Sequence, residues 1–350
     1  MTLSTALITY LESKYGYQSS LWYQVKKEES VIKNYCNNIG ISYGRILSKK
    51  FFSSLFTAIT CRQPVIIILH TGRAIIPWHI TVLRSIFQKR ISLLAHLHGS
   101  SNLDLPSLSD WKHIHLKRFK YTDGVIVPSE NEKKFQIKLG LSKGKVFNIH
   151  NFVPETSMIS PSLKTTTPAC EKPIILFCGI LNKKKGLFEL LDAFEAVLTQ
   201  FPTATLLIAG TGPMCELAKN SAQKYGSHVI FLGHVKDIYA LMKNADIFVA
   251  PSHAESYGRT VLEAAFSHTP MAISQIDPWQ TWFKSDVDCQ MFPVADATEI
   301  AKSIISILSD SKQSELMAKN AYISAKKISS EEAVIRDIQS IYEHLNKAHT

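Results

Sequence analysis

Short apolar runs, each closed by Gly, Pro or Ser, recur through the second half of the chain, most followed by a helix-length segment. IILFCG (174–179), TLLIAG (205–210), HVIFLG (228–233), ADIFVA (245–250) and PMAIS (270–274) are apolar almost throughout. This pattern predicts strands buried on both faces, as in a parallel sheet covered by helices. GLFELLDAFEAVLTQF (186–201) places Leu187, Leu190, Leu191, Phe194, Val197 and Leu198 at helical spacing and predicts one of those helices. In such a sheet, ligands bind beyond the carboxyl ends of the strands. The loops with chemically interesting residues all fall there.

The first half repeats the plan less regularly, with strand candidates at 19–25, 64–70, 91–98, 124–129 and 145–150. It opens on a predicted helix, LSTALITYLESKY (3–15), stopped by Gly16. A doubly wound domain ordinarily opens on a strand and loop instead, so the first strand is expected to be missing. PETSMISPSLKTTTPACEKP (154–173) is rich in Pro, Ser and Thr and reads as a linker. The chain from about 295 is helical and amphipathic. The predicted division is a domain over 1–155, a linker over 156–172, a second domain over 173–325 and a helical tail over 326–350, which could cross back to the first domain.

With 350 residues and 45% hydrophobic content, two domains can each bury a core. The longest apolar runs are far shorter than the ~20 residues of a spanning helix. The first residues show no secretory-leader pattern. Six single cysteines without a CxxC pair point to reducing cytoplasm and to no thiolate zinc site. The net charge of +10 is unevenly placed. Residues 1–165 carry 22 Lys and Arg against 9 Asp and Glu, whereas the remainder carries 17 against 20. An excess of that kind suits an anionic partner. RILSKKFFSSLF (45–56), WHITVLRSIFQKR (78–90) and WKHIHLKRFKY (111–121) mix bases with aromatics. Each reads either as a helix with a wet basic face or as a surface for anionic lipid. Nucleic acid is not expected, because no binding-module signature is present.

The densest chemistry lies in ADIFVAPSHAESYGRTVLEAAF, read as a strand, a loop, and a helix starting near Tyr257 with Ser256 as N-cap. Amides at such a helix start, with no bulk at Gly258, form an anion site that Arg259 could reinforce. Glu255 and Glu263 stand roughly 12 Å apart along the axis if the whole span is helical. Helix geometry alone favours a Glu263 that faces solvent. The alternative is that both carboxylates hold hydroxyls of one ligand, since a carboxylate accepts two hydrogens of a vicinal diol. GILNKKKGL, after the strand at 174–179, could neutralise a diphosphate or be a solvated lysine run. AGTGP (209–213) reads as a tight strand end and LGHVKD (232–237) as a plain loop or an edge for a base. His96 and His98 make a poor metal site. DVD (286–288) is a short match to a cation-holding Asp-x-Asp that arises easily by chance.

Taken in order, FCGILNKKKGL, LLIAGTGP, VIFLGHV, ADIFVAPSHAESYGRTVLEAAFSHTPMAIS and the helical tail resemble glycosyltransferase family 4, the retaining enzymes among the group 1 glycosyl transferases. ESKYGYQSSLWYQ, LLAHLHG, TDGVIVPSENEKKF and VFNIHNFV extend the resemblance faintly into the first half. It implies an α/β GT-B fold, with two Rossmann-like doubly wound domains facing a cleft: an acceptor-binding first domain and a nucleotide-sugar-binding second. It assigns Glu255 to the donor sugar, Glu263 to the ribose, and the amides of Ser256, Tyr257, Gly258, Arg259 and Thr260 to the diphosphate. Lys185 becomes the counter-charge, His98 lies near the reacting sugar, and His234 and Val235 lie near the base. Gly179, Lys184 and Gly212 complete the donor-binding set. Two departures stand out: Ile180 occupies the place of a second phosphate cation, which Lys183 or Lys184 could supply, and the first strand is missing. The implied activity is hexosyl transfer from UDP- or GDP-sugar to a glycan or lipid-linked acceptor. That chemistry needs no metal or other cofactor and fits bacterial surface polysaccharide synthesis, such as lipopolysaccharide O-antigen or capsule. The expected location is cytoplasmic, peripheral at the inner face of the cell membrane. A catalytically impaired relative acting as a glycan- or partner-binding scaffold is the alternative.

Overall fold

The computed structural model describes residues 20–23, 42–45, 65–71, 91–97, 119, 122–150, 153, 170–235 and 237–349. In the first half, β1 (Ser20–Tyr23) and β2 (Ser42–Arg45) form a parallel pair. A separate parallel sheet runs β3 (Val65–Thr71), β4 (Ile91–Leu97), β5 (Gly124–Val127) and β6 (Val146–Asn148) in chain order. Between β5 and β6 lies α1 (Glu130–Lys138). Its cap, Ser129, accepts from the Glu132 amide, and its acidic first turn and basic last turn complement the helix dipole. β2 carries no apolar run, only SYGR, and hydrophobic patterning did not reveal it. The predicted opening helix, the linker residues 154–169 and most of the three basic–aromatic segments lie outside the described residues.

In the second half the strands are β7 (Ile174–Cys178), β8 (Thr205–Ala209), β9 (Val229–Gly233), β10 (Ile247–Ala250), β11 (Met271–Ser274) and β12 (Gln290–Phe292). The first five match the apolar runs, trimmed by a residue or two. β12 is a three-residue edge strand, too short to show any alternation. Helices α2 (Leu187–Gln200), α3 (Cys215–Ala222), α4 (Ile238–Asn244), α5 (Arg259–Phe266), α6 (Trp279–Trp282) and α7 (Ala297–Ser309) fill the connections, and α8 (Ser311–Ser329) and α9 (Glu331–His349) follow. The sheet is wholly parallel, in the order β12-β11-β10-β7-β8-β9.

Successive strand residues serve opposite layers because side chains alternate across a sheet. Leu176, Phe248 and Ile273 face one core, shared with Val261 and Ala265 of α5 and Ala321 and Ala325 of α8. Ile175, Phe177, Val249 and Ile208 face the other, shared with Leu190, Phe194 and Val197 of α2 and Ile300 and Ile304 of α7. Burial on both faces accounts for the near-continuous apolar character of these strands.

The strand order fixes where a ligand can lie. From β7 the chain winds outward through β8 and β9, then returns to the other side of β7 as β10. Loops leaving the carboxyl ends of β7 and β10 therefore part in opposite directions and open a crevice between them. α9 reaches the first half, where Asp337 Oδ2 lies 3.4 Å from His150 Nδ1 and His344 packs edge-on against Phe147.

Candidate active site

Two loops meet at that crevice. The first, residues 179–186, leaves β7, and its cations sit on a tightly braced backbone. Asn182 accepts from the Lys184 amide, and Lys183–Lys185 form one 3₁₀ turn. Gly186 ends the turn at φ 64°, where a Cβ would stand 1.9 Å from the Pro251 carbonyl oxygen. Only glycine lets the two loops approach so closely. The Lys185 stem passes 3.7 Å from where a Gly179 Cβ would be, so the side chain lies back over the strand end. Gly212 packs against the Leu181 backbone, where a Cβ would come within 2.4 Å of its oxygen, and so braces this loop from the β8 side.

The second loop, residues 251–258, leaves β10. The His253 amide donates to Lys184 O at 2.8 Å, joining the loops through their backbones. Glu255 then receives two donors on one oxygen: Ser252 Oγ at 3.0 Å and Lys185 Nζ. Lys185 and Glu255 are 70 residues apart in sequence and largely shielded here, with side chains 21% and 12% exposed. His253 Nε2 lies 3.0 Å from Glu189 Oε1, at the start of α2. Neither Ser252 nor His253 stood out in the sequence, since each is defined by a partner from another segment.

The predicted N-cap at Ser256 is not found. α5 starts at Arg259, with Gly258 as its cap at φ 79°. A Cβ at Gly258 would fall 2.1 Å from Trp279 Nε1, so the indole requires glycine there. Ser256 instead offers its carbonyl to Ser129 Oγ at 2.9 Å, a contact from the first half of the chain. Tyr257 O accepts from Trp279 Nε1 at 3.3 Å. Across a trans peptide the next N–H points opposite to the carbonyl, so these bonds send the Tyr257 and Gly258 amides the other way. The Tyr257 ring is core, edge-on to Trp282 at 4.7 Å and with its hydroxyl 3.4 Å from Ser329 Oγ. Of Tyr257, only the backbone can serve a ligand in this structure. The first amides of α5, beginning at Arg259 and Thr260, have no intrahelical acceptor.

Glu263 corrects the expectation from helix geometry. It does not face solvent: its side chain is 8% exposed, and Oε1 accepts from Arg259 Nε at 2.7 Å. Burial raises its pKa, and the neighbouring guanidinium only partly offsets this. The Cys178 thiol, at the end of β7, is pushed up to about 12 by burial and then by the Glu263 charge, against the pull of Lys185. It is therefore a neutral packing group, as its place in ILFCG suggested. Ile180 is 61% exposed and supplies no charge.

His234 is exposed just past β9, after Gly233 at φ 64°, and Val235 packs against the core. The Gly233 carbonyl holds the Gly210 amide at 2.7 Å. His96 is buried in β4, and His98 lies outside the described residues. The DVD segment is a turn: Asp288 is buried, its carboxylate accepts from the Lys284 amide at 2.8 Å, and Asp286 has φ 64°. Among the described residues, no three His, Cys, Asp or Glu side chains gather as a metal site, and no helix is long and apolar enough to cross a membrane.

Residues 163–324 match the family model for glycosyl transferases group 1. The chain is 31% identical over 138 residues to a phosphatidyl-myo-inositol mannosyltransferase of Mycobacterium leprae, covering 38% of this chain and 37% of that protein. A Mycolicibacterium smegmatis protein of the same description is 29% identical over 222 residues, covering 62% and 56%. The chain thus spans between about a third and somewhat over half the length of these curated relatives. Among solved structures, Anabaena Alr3699/HepE in complex with UDP superposes with a TM-score of 0.73 at 19% identity, covering 98% of this chain and 95% of that one. A glycosyltransferase from Rickettsia africae superposes at 0.74 with 16% identity, covering 97% and 93%. The fold is that of the GT-B glycosyltransferases, with two Rossmann-like units.

Proposed function

We propose that this chain, whose residues 163–324 belong to the group 1 glycosyltransferases, moves a hexose from a nucleotide-sugar to a hydroxyl of a glycan or lipid-linked acceptor. The observation that carries this is the Lys185–Glu255 pair at the switch point of the doubly wound sheet, beside the start of α5. A cation, a carboxylate and free helix amides are the three groups a sugar diphosphate needs. The UDP bound by Anabaena Alr3699/HepE supports a nucleoside diphosphate as the leaving group here.

Glu255 accepts from the hexose hydroxyls, Lys185 and the amides of Ser256–Thr260 take the diphosphate, and Glu263 takes the ribose diol. His234 and Val235 border the base, Lys184 adds charge, and His98 stands near the reacting sugar. Charge develops on the diphosphate oxygens as the glycosidic bond breaks, so Lys185 is placed to stabilise the transition state more than the ground state. The anomeric configuration is retained, as the family resemblance implies, and the diphosphate is neutralised without a metal. The basic first half suits an anionic inner membrane face and a lipid-linked acceptor of surface polysaccharide synthesis, such as lipopolysaccharide or capsule.

The second reading is a scaffold that binds glycan or a partner without turnover. The exposed Ile180, where a phosphate cation is expected, favours it. Thermal stabilisation by UDP or GDP, followed by slow hydrolysis of the matching UDP- or GDP-hexose, tests the enzyme. Stabilisation without any hydrolysis or transfer selects the scaffold, and no stabilisation by either nucleotide removes the donor-binding reading.

A further inference from the structure

Two ion pairs beside the start of α5 each join a cation to a carboxylate. Lys185 is held by Glu255, and Arg259 is held by Glu263. The second pair is uneven in an informative way. Glu263 is almost wholly covered, whereas the Arg259 side chain is 46% exposed. The guanidinium thus lies over the carboxylate from the solvent side, at the first turn of the helix. It is attached through Nε, so the two terminal amino groups extend past the bond. A vicinal diol that bridges both carboxylate oxygens competes with the guanidinium for Oε1. A guanidinium set free there lies at the electropositive start of α5, where a bound phosphate is the anion it can pair with, and bidentate phosphate pairing is what its planar fork favours. The strand-end position that would otherwise supply this charge holds Ile180, exposed and uncharged.

We infer that Arg259 and Glu263 form an exchange latch. On donor arrival the ribose diol takes over Glu263, and the released guanidinium turns onto the diphosphate. This inference rests on the nucleotide-sugar reading and adds a specificity device to it. A ligand carrying both a diol and a diphosphate satisfies both halves of the pair at once. A bare diol that opens the pair leaves the guanidinium uncompensated, and a bare phosphate that opens it leaves the buried carboxylate so. Arg259 thereby supplies the cation that Ile180 does not. The latch discriminates against bare phosphates and bare nucleosides alike.

The two halves predict effects of opposite sign, which a merely structural ion pair would not produce. Binding of UDP, uridine and inorganic pyrophosphate is measured at pH 8 for the full chain and for R259A and E263Q, with GDP and guanosine in parallel. R259A uncovers the carboxylate, so nucleoside binds about threefold tighter or more, while nucleoside diphosphate binds about tenfold weaker for want of a charge-assisted contact. E263Q releases the guanidinium, so pyrophosphate binds several-fold tighter, while nucleoside weakens. Thermal melts of both variants confirm that the fold persists, and R259K retains part of the diphosphate affinity. If R259A leaves nucleoside binding unchanged or weaker, or E263Q fails to tighten pyrophosphate, the latch is overturned although donor binding stands. If the unmodified chain binds neither UDP nor GDP, the nucleotide-sugar reading itself falls, and the latch with it.

Discussion

Glu255 and Arg259 stand four residues apart in the chain, but the Lys185–Glu255 and Arg259–Glu263 pairs to which they belong are built by different means. Lys185 and Glu255 come from two loops separated by 70 residues, and only the reversal of strand order between β7 and β10 brings them together. Arg259 and Glu263 are four residues apart on one helix, and helical geometry alone makes them neighbours. An exposed pair of the second kind is worth only tenths of a kcal/mol. Here the helix lies against the sheet and buries the carboxylate, which turns a routine helical contact into one that holds a charge where it would otherwise be costly. The comparison teaches that proximity in sequence and importance to the site are unrelated: the long-range pair needs the fold to exist, and the local pair needs the fold to matter.

The strongest way to break this comparison is at the long-range pair. K185A and E255A should each lower transfer by about 10²–10³-fold, as removal of a transition-state charge partner does. The double variant should lose little more than either alone, because the two act as a unit. Steady-state transfer rates for the four proteins check this, and simple additivity would mean that the pair is not one device. The next largest effect concerns the backbone that brings the loops together. G186A places a Cβ on the Pro251 carbonyl at φ 64° and should cost on the order of 3 kcal/mol in urea unfolding.

A subtler test addresses the buried carboxylate. Because its folded pKa is raised, the fold binds the Glu263 proton more tightly than the unfolded chain does. Its favourable contribution is therefore present below the ordinary value of 4.5 and is lost as pH rises through the higher folded value. E263Q, which mimics the protonated form, should gain stability relative to the unmodified chain between pH 4 and pH 8. Melting curves across that range that stay parallel would argue against burial of the charge. The smallest effect is reserved for the DVD turn. D288A should cost about 1 kcal/mol by losing the Lys284 amide contact, yet leave UDP or GDP binding unchanged.

Much of this architecture was legible from patterning. The five apolar runs became β7–β11 because strands buried on both faces must be apolar throughout. Leu187, Leu190, Leu191, Phe194 and Val197 became the buried stripe of α2 because helical spacing leaves them one face. Short edge elements were not legible: β2 and β12 owe their existence to a neighbour's ladder rather than to their own residues. The start of α5 was misjudged for a similar reason. Ser256 is a good cap by its chemistry, but Ser129 and Trp279 claim the carbonyls of residues 256 and 257 and delay the helix to Arg259.

By itself the sequence determined the layered α/β plan, the order of the strand-end loops and the choice of carboxylates and cations they carry. Those follow from periodicity and from which side chains are present. Only the tertiary structure decided that Glu255 meets Lys185, that Glu263 is buried rather than solvated, and that Gly186 and Gly258 are indispensable where they stand. Each of these depends on what approaches from elsewhere in the chain, and a local pattern carries no information about an atom that arrives from 20 or 70 residues away.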